Sequence, residues 1–207
     1  MSLSDNKTPI LFKNLGVQDY QSVLLEMQNF TKKRHGDTRD EVWFLEHNPV
    51  YTYGPRTKEY DIPSSEHIPI IRTDRGGQLT FHGPGQLMVY ILFDLRRKSM
   101  KIKEFISSFE KSILISIQNY KSDAYFKKDE PGIFIKSKKI VSFGLKIKKG
   151  CSYHGASINI SMDMEPWDNI TICGNRSNQV SDFKKLGVNL SLNEVKNDIR
   201  KNILKNF

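Results

Sequence analysis

The chain predicts an α/β (α+β) protein, a mixed β-sheet flanked by helices, and three observations carry that prediction. Two amphipathic helical patterns, over 17–33 and 101–119, are interleaved with short strand-like segments. The run Leu87 to Leu95, LMVYILFDL, is almost continuously apolar, as in a central strand covered on both faces. From Gly132 onward the pattern changes to strands until a last helix. Neither Gly-x-Gly-x-x-Gly nor a P-loop occurs, so a doubly wound nucleotide fold is not expected.

Each element has its own justification. Tyr20, Val23, Leu24, Met27 and Phe30 share one helical face. Val42 to Leu45 reads as a short strand ended by HNPVYTYGP, whose Asn-Pro and Gly-Pro pairs predict a loop. Ile68 to Thr73 and Gln78 to His82 read as short strands around the Arg75-Gly76-Gly77 turn. Ile102, Phe105, Ile106, Phe109, Ile113 and Ile117 mark the second helix. GIFIKSKKIVSFGLKI alternates across a lysine-rich turn as a hairpin does, and SYHGASINISM continues as a strand. Ser191 and Glu194 form a capping box ahead of Val195, Ile199 and Ile203. The 207 residues fit a single catalytic domain spanning 1–207, with 176–207 open to being a small C-terminal helical appendage.

Composition narrows the class. Hydrophobic content of 38% and charged content of 27% are ordinary for a globular protein, and no apolar run has the length of a membrane span. The N-terminus lacks the basic-then-apolar pattern of a secretory signal, so two reduced cysteines in the cytoplasm are the expectation. Thirty-two basic against 23 acidic residues give a net charge of +9, which suits either an acidic partner or a solubilising surface.

The segment RGGQLTFHGPGQL, 75–87, holds four of the 13 glycines. Such a cluster means sharp turns, or a ligand lying close against the backbone. Cys173 follows an apolar approach and precedes glycine, a place from which a thiolate is reachable; a free cysteine is more often a small buried hydrophobe. Cys151 and His154, with Cys173 and His82, would make four metal ligands. Only one close ligand pair exists, and strand alternation separates its members, so no metal is expected. Lys139 stands at the base of a strand, either a solvated hairpin-end charge or a group able to lower a thiol's pKa.

RGGQLTFHGPGQL, KKIVSFGLKIKKGCSYHGASINI and DMEPWDNITICG, with HNPVYTYG and PGIFI, resemble the octanoyltransferase family of lipoate biosynthesis over roughly 40–175. The resemblance implies the fold of biotin and lipoate protein ligases. It implies transfer of an octanoyl group from octanoyl-acyl carrier protein to a lysine of lipoyl domains, those of 2-oxoacid dehydrogenase complexes and of the glycine cleavage H protein. The acyl group arrives on the carrier's phosphopantetheine arm, so the enzyme itself needs no cofactor, and neither nucleic acid nor a membrane is a partner. The family's nucleophile falls on Cys173 and its cysteine-activating lysine on Lys139. Its substrate-lining segments fall on Arg75, Gly76, Gly77, Gln78, Leu79, Thr80, Phe81 and His82, on Ser142, Phe143 and Gly144, and on Gly155, Ala156 and Ser157. His154 adjoins the last of these and is expected to face His82 across the acyl channel, where His82 either acts on substrate or braces the Gly83-Pro84-Gly85 turn.

Two departures stand out. Ile172 replaces the proline usual before the nucleophile, and Ala156-Ser157-Ile158 replaces leucine-alanine-leucine. The competing readings are an ATP-dependent lipoate or biotin ligase of the same fold and a basic nucleic-acid-binding module.

Overall fold

The structure, a computed structural model, describes residues 9–128, 130–172, 175–176 and 180–207. In chain order the first half holds β1 (Leu11–Gln18), α1 (Tyr20–Lys33), β2 (Glu41–His47), β3 (Val50–Tyr53), β4 (Ile70–Arg72), β5 (Thr80–His82), β6 (Gln86–Leu92) and α2 (Ile102–Gln118). There follow β7 (Tyr125–Lys127), β8 (Glu130–Ile135), β9 (Lys138–Lys148), β10 (Cys151–Asn159), β11 (Thr171–Ile172), β12 (Asn175–Arg176) and α3 (Leu192–Asn206).

Seven strands form one mixed sheet in the order β1-β2-β6-β10-β9-β8-β7. β1 runs parallel to β2, and the remaining neighbours are antiparallel. A second sheet, β4-β3-β5, is also mixed. The expected class is therefore the observed one. Four strands, β1, β3, β7 and β12, fall outside the sequence patterns, and two of them have a clear reason. β3 lies inside the segment expected to be a loop, because its strand formers Val50, Tyr51, Thr52 and Tyr53 are flanked by strong turn signals. β1 is an edge strand whose register shifts between Asn14 and Gly16, which breaks the two-residue alternation that would reveal it.

The central strands sort their side chains by alternation. Val42 and Phe44 of β2, Leu87, Val89 and Ile91 of β6, and Ala156 and Ile158 of β10 join the main core with α2 and α3. Trp43 and Leu45, Met88, Tyr90 and Leu92 face the opposite way, against Val23 and Met27 of α1. Burial of each large side chain stabilises by roughly 1.5–3 kcal/mol, so both layers matter to the fold. The run LMVYILFDL is apolar on both sides for this reason.

Two-residue turns fix the register of the C-terminal strands. Lys136 and Ser137 both have positive φ between paired Ile135 and Lys138, and Lys149 and Gly150 do the same between Lys148 and Cys151. Both are the mirror-image turns that match strand twist. The capping box of α3 is present, with Ser191 accepting from the Glu194 backbone and Glu194 accepting from the Ser191 backbone. Among the described residues no helix is long and apolar enough to cross a membrane.

Candidate active site

The site lies on the α1 face of the large sheet, where the small sheet closes over it. The glycine-rich turn is drawn onto β9: the Gly76 amide donates to the Leu145 carbonyl at 3.1 Å. A Cβ at Gly144 would meet the Gly76 oxygen at 2.9 Å, and one at Gly54 would meet the Gly77 oxygen at 2.4 Å. These glycines let three backbones approach one another. Gly77 has φ +98, so any side chain there strains the turn whether or not a ligand lies beside it. A Gly77→Val variant therefore reports on folding as much as on ligand space.

A cavity of about 250 Å3 opens between these segments. That is narrow against the roughly 300–1,000 Å3 of typical ligand pockets and suits a slender chain. Of the anticipated residues, Arg75, Gly77, Gln78, Leu79, Thr80 and His82 line it, as do Ser142, Phe143 and Gly144 on β9. His154, Gly155, Ala156 and Ser157 on β10 and Lys139 complete the anticipated set within its walls. Two members stand apart. Gly76 is turned toward β9, and Phe81 is buried against Tyr51 and Trp167, at 5.5 and 6.0 Å between ring centroids. Cys173 lies outside the described residues. Tyr20, Arg56, Met88, Tyr90, Pro131, Trp167 and Val180 also line the cavity and were not singled out as site residues. Of these, Tyr20, Met88 and Tyr90 carry core-like sequence patterns, so nothing local marked them.

A hydrogen-bond chain underlies the cavity and assigns its own proton positions. Buried Arg75 donates from Nε and Nη2 to Thr52 Oγ1, at 3.2 and 2.8 Å, and to the Thr52, Gly76 and Gln78 carbonyls. With both lone pairs taken, the Thr52 hydroxyl donates to His82 Nε2 at 3.1 Å. His82 then donates from Nδ1 to Gln86 Oε1 at 2.7 Å. Gln86 Nε2 continues to Asn159, and Asn159 Nδ2 reaches the Ser181 carbonyl. Burial, with His47 and Arg75 adding to it, holds His82 well below the usual histidine range, in keeping with a neutral ring. Both of its nitrogens are occupied. His82 thereby links Gln86 of β6 to Thr52 of β3.

His154 differs. It sits in β10 with φ +60, a backbone state that non-glycine residues rarely adopt. Regular alternation would send Tyr153 and His154 to opposite faces. Instead both reach one carboxylate: Tyr153 Oη donates to Asp74 Oδ2, and His154 Nε2 lies 3.0 Å from Asp74 Oδ1. Burial raises the Asp74 carboxyl, but the hydrogen bonds from His154 and Tyr153 overcome it and bring it to about 2. Burial pushes His154 down. An ionised Asp74 accepts only, so the His154 proton is on Nε2. Nδ1 is buried and has no partner among the described residues.

Lys139 is 6% exposed. Its Nζ lies 3.1 Å from Glu130 Oε1 and 5.3 Å from the Phe134 ring centroid. Its alkyl stem crosses Gly132, where a Cβ would meet the Lys139 Cε at 3.1 Å. The lysine is thus a buried wall of the cavity, where a solvated hairpin end had been the alternative. Cys151, by contrast, is not in the walls; its thiol sits beside Asp94 and Arg96 and is pushed up by burial. Among the described residues no three metal-ligating side chains come together.

Folds of the same kind occur in protein-modifying ligases. The bipartite lipoate protein ligase of Thermoplasma acidophilum superimposes with a TM-score of 0.77 at 15% identity, over 95% of this chain and 82% of that one. The biotin protein ligase of Aquifex aeolicus, in complex with biotin and ATP, gives 0.57 at 12% identity, over 95% and 69%. This architecture is the lipoate/biotin protein ligase-like fold. The model of the lipoyl protein ligase A/B catalytic domain matches residues 19–204. The octanoyltransferase of Nitrosococcus oceani is 40% identical over 93% of this chain and 86% of its own length. That of Aliivibrio fischeri is 44% identical over 80% and 73%. The chain belongs to the lipoyl protein ligase A/B family, among its octanoyltransferases.

Proposed function

We propose that the chain transfers an octanoyl group from octanoyl-acyl carrier protein to a lysine of lipoyl domains, through a thioester on Cys173. The observation that carries this reading is the buried Lys139 in the wall of a narrow cavity shared with the glycine-rich and His-Gly segments. Cys173 as nucleophile rests on the family resemblance.

In the first half-reaction the Cys173 thiolate attacks the donor's thioester carbonyl, and the pantetheine thiol leaves. Thioester exchanges for thioester, so no ATP is required. The Lys139 amine takes the Cys173 thiol's proton, and the resulting ammonium favours the thiolate and then gives that proton to the departing pantetheine sulfur. Backbone N–H groups stabilise the tetrahedral oxyanion. In the second half-reaction the neutral amine of the acceptor lysine attacks the thioester carbonyl, the C–N bond forms as the C–S bond breaks, and the amine's proton goes to the departing Cys173 sulfur. The net charge of +9 suits acidic protein partners in the cytoplasm. Relatives named octanoyltransferase, at 40–44% identity, favour transfer over ATP-dependent ligation.

Intact mass after incubation with octanoyl-acyl carrier protein tests the proposal. The parent protein and Cys151→Ser gain one octanoyl group, and Cys173→Ser gains none. An adduct mapped to Cys151, or retained in Cys173→Ser, would reject the assignment.

A further inference from the structure

A buried lysine that takes a proton and gives it up again needs measured support for its ammonium. Burial disfavours the charged form, and a nearby carboxylate favours it. Lys139 is 6% exposed, and the carboxylate it meets among the described residues is that of Glu130, which opens β8. Glu130 does not serve Lys139 alone. Its Oε1 lies 3.1 Å from Lys139 Nζ, and its Oε2 accepts from Lys127 Nζ at 2.6 Å. Both lysines also sit against the Phe134 ring, 5.3 and 5.4 Å from its centroid.

We propose that Glu130 is the positioning residue of Lys139, holding its ammonium each time the lysine takes a proton, and that Lys127 weakens this hold by sharing the carboxylate; this rests on the cysteine acyltransferase reading above. The strands build the contact. Lys127 on β7 pairs with Glu130 on β8, and Phe134 on β8 pairs with Lys139 on β9, so both lysines converge on β8. Gly132, with φ +150, clears room for the Lys139 stem: a Cβ there would meet the Val141 carbonyl oxygen at 2.6 Å and Lys139 Cε at 3.1 Å. Side-chain exposure rises from 7% at Lys139 through 16% at Glu130 to 46% at Lys127, so the carboxylate joins the cavity wall to the surface. The segment beside the Lys139 backbone contributes Val180 and Ser181, neither of which titrates. Among the described residues, Glu130 of β8 and Lys127 of β7 are the charged groups gathered at this amine.

The electrostatics assign each residue a sign. Burial raises the Glu130 carboxyl, but hydrogen bonds from Lys127 and Lys139 overcome it and hold the group below the usual glutamate range. Glu130 therefore remains an acceptor. A neutral Lys139 amine donates an N–H to it and an ammonium donates more strongly, so the contact survives both protonation states. During loading Lys139 takes a proton and passes it to the departing sulfur, while Glu130 gains and loses none. Lys127 offsets part of the Glu130 charge, and as an exposed group it does so under salt screening.

Labelling of Lys139 in the full-length protein tests this without relying on turnover. The chain is treated with acetic anhydride across a range of pH, and acetylation at Lys139 is followed by peptide mass mapping. In Glu130→Gln the pH of half-maximal labelling should fall by about 1–3 units, the usual effect of losing a close opposite charge. In Lys127→Ala it should rise, by less, and the rise should shrink in about 1 M salt, where the Debye length is about 3 Å. Octanoyl loading, measured in parallel, should slow about tenfold or more in Glu130→Gln, since one unit is tenfold in the protonation equilibrium. An unchanged or raised midpoint in Glu130→Gln overturns the proposal, and so does an unchanged or lowered one in Lys127→Ala. Should Glu130→Gln not fold by circular dichroism, Lys127→Ala decides alone, because truncating an exposed side chain spares the core. A parent protein that takes up no octanoyl group rejects the acyltransferase reading, and the labelling midpoints then still report whether Glu130 and Lys127 govern the lysine.

Discussion

Leu87, Val89 and Ile91 enter the apolar layer beneath α2 and α3, while Met88 and Tyr90, the residues between them, face α1 and the cavity. The first face is sealed by helix side chains such as Phe105, Ile113, Val195 and Ile199, each 0% exposed. The second buries polar groups in their place: His47, His82, His154, Arg75 and Lys139. Burying such groups is tolerable only where hydrogen bonds or charges satisfy them. On this face hydrogen bonds and an ion pair hold most of them, while His154 Nδ1 is buried without a partner among the described residues. The same strands thus support a layer that stores stability and a layer that stores reactivity.

The largest expected effect belongs to the polar face. Lys139→Ala should lower acyl transfer by about 10²–10⁴-fold, the usual range for a proton-transfer group. Lys139→Arg should fail nearly as badly. Its stem must cross Gly132, where the lysine Cε already lies 3.1 Å from the place of a Cβ, and a planar guanidinium needs different space. Transfer rates of purified variants decide this, with Cys173 alkylation against pH as the companion measurement. An arginine variant with normal thiol reactivity and transfer would reduce Lys139 to a point charge.

On the apolar face the loss should be of stability alone. Ile113→Ala removes a fully buried side chain and should destabilise by about 2–5 kcal/mol. Turnover per folded molecule should be unchanged, measured by denaturant titration alongside transfer rates below the unfolding midpoint. A matched fall in turnover would show that the two faces are coupled through the strands.

What was legible in the sequence divides along the same line. The apolar face announces itself through spacing: Phe105, Phe109 and Ile113 recur at helical intervals, and the Ser191–Glu194 box marks where α3 begins. The polar face does not, because its meaning lies in long-range partners. Nothing near His154 predicts a φ of +60, and its carboxylate lies 80 residues away. Tyr90 looks like one more core residue until its hydroxyl is found 2.7 Å from His47 Nε2. The glycine-rich segment was visible as a feature, but strand-to-strand contacts explain Gly76 and Gly144 as directly as ligand space does.

The smallest effect concerns acid. His47 places Nδ1 3.1 Å from the Gln18 carbonyl, so that nitrogen carries the proton, and Nε2 accepts from Tyr90. Burial brings its folded-state pKa from 6.5 down to about 4. The unfolded chain therefore binds a proton first as pH falls. Stability is intact above about 6.5 and is lost as pH drops toward about 4, by up to roughly 1.4 kcal/mol per pH unit from this one group. His82 and His154, also pushed down by burial, steepen the loss in the same direction. His47→Gln can still donate to the Gln18 carbonyl and accept from Tyr90, and it does not titrate. Denaturant titrations of parent and variant at pH 7, 6 and 5 should show a shallower decline in the variant. An equal decline in both would mean that His47 is not a source of acid sensitivity, and that the polar face yields to acid through its other histidines.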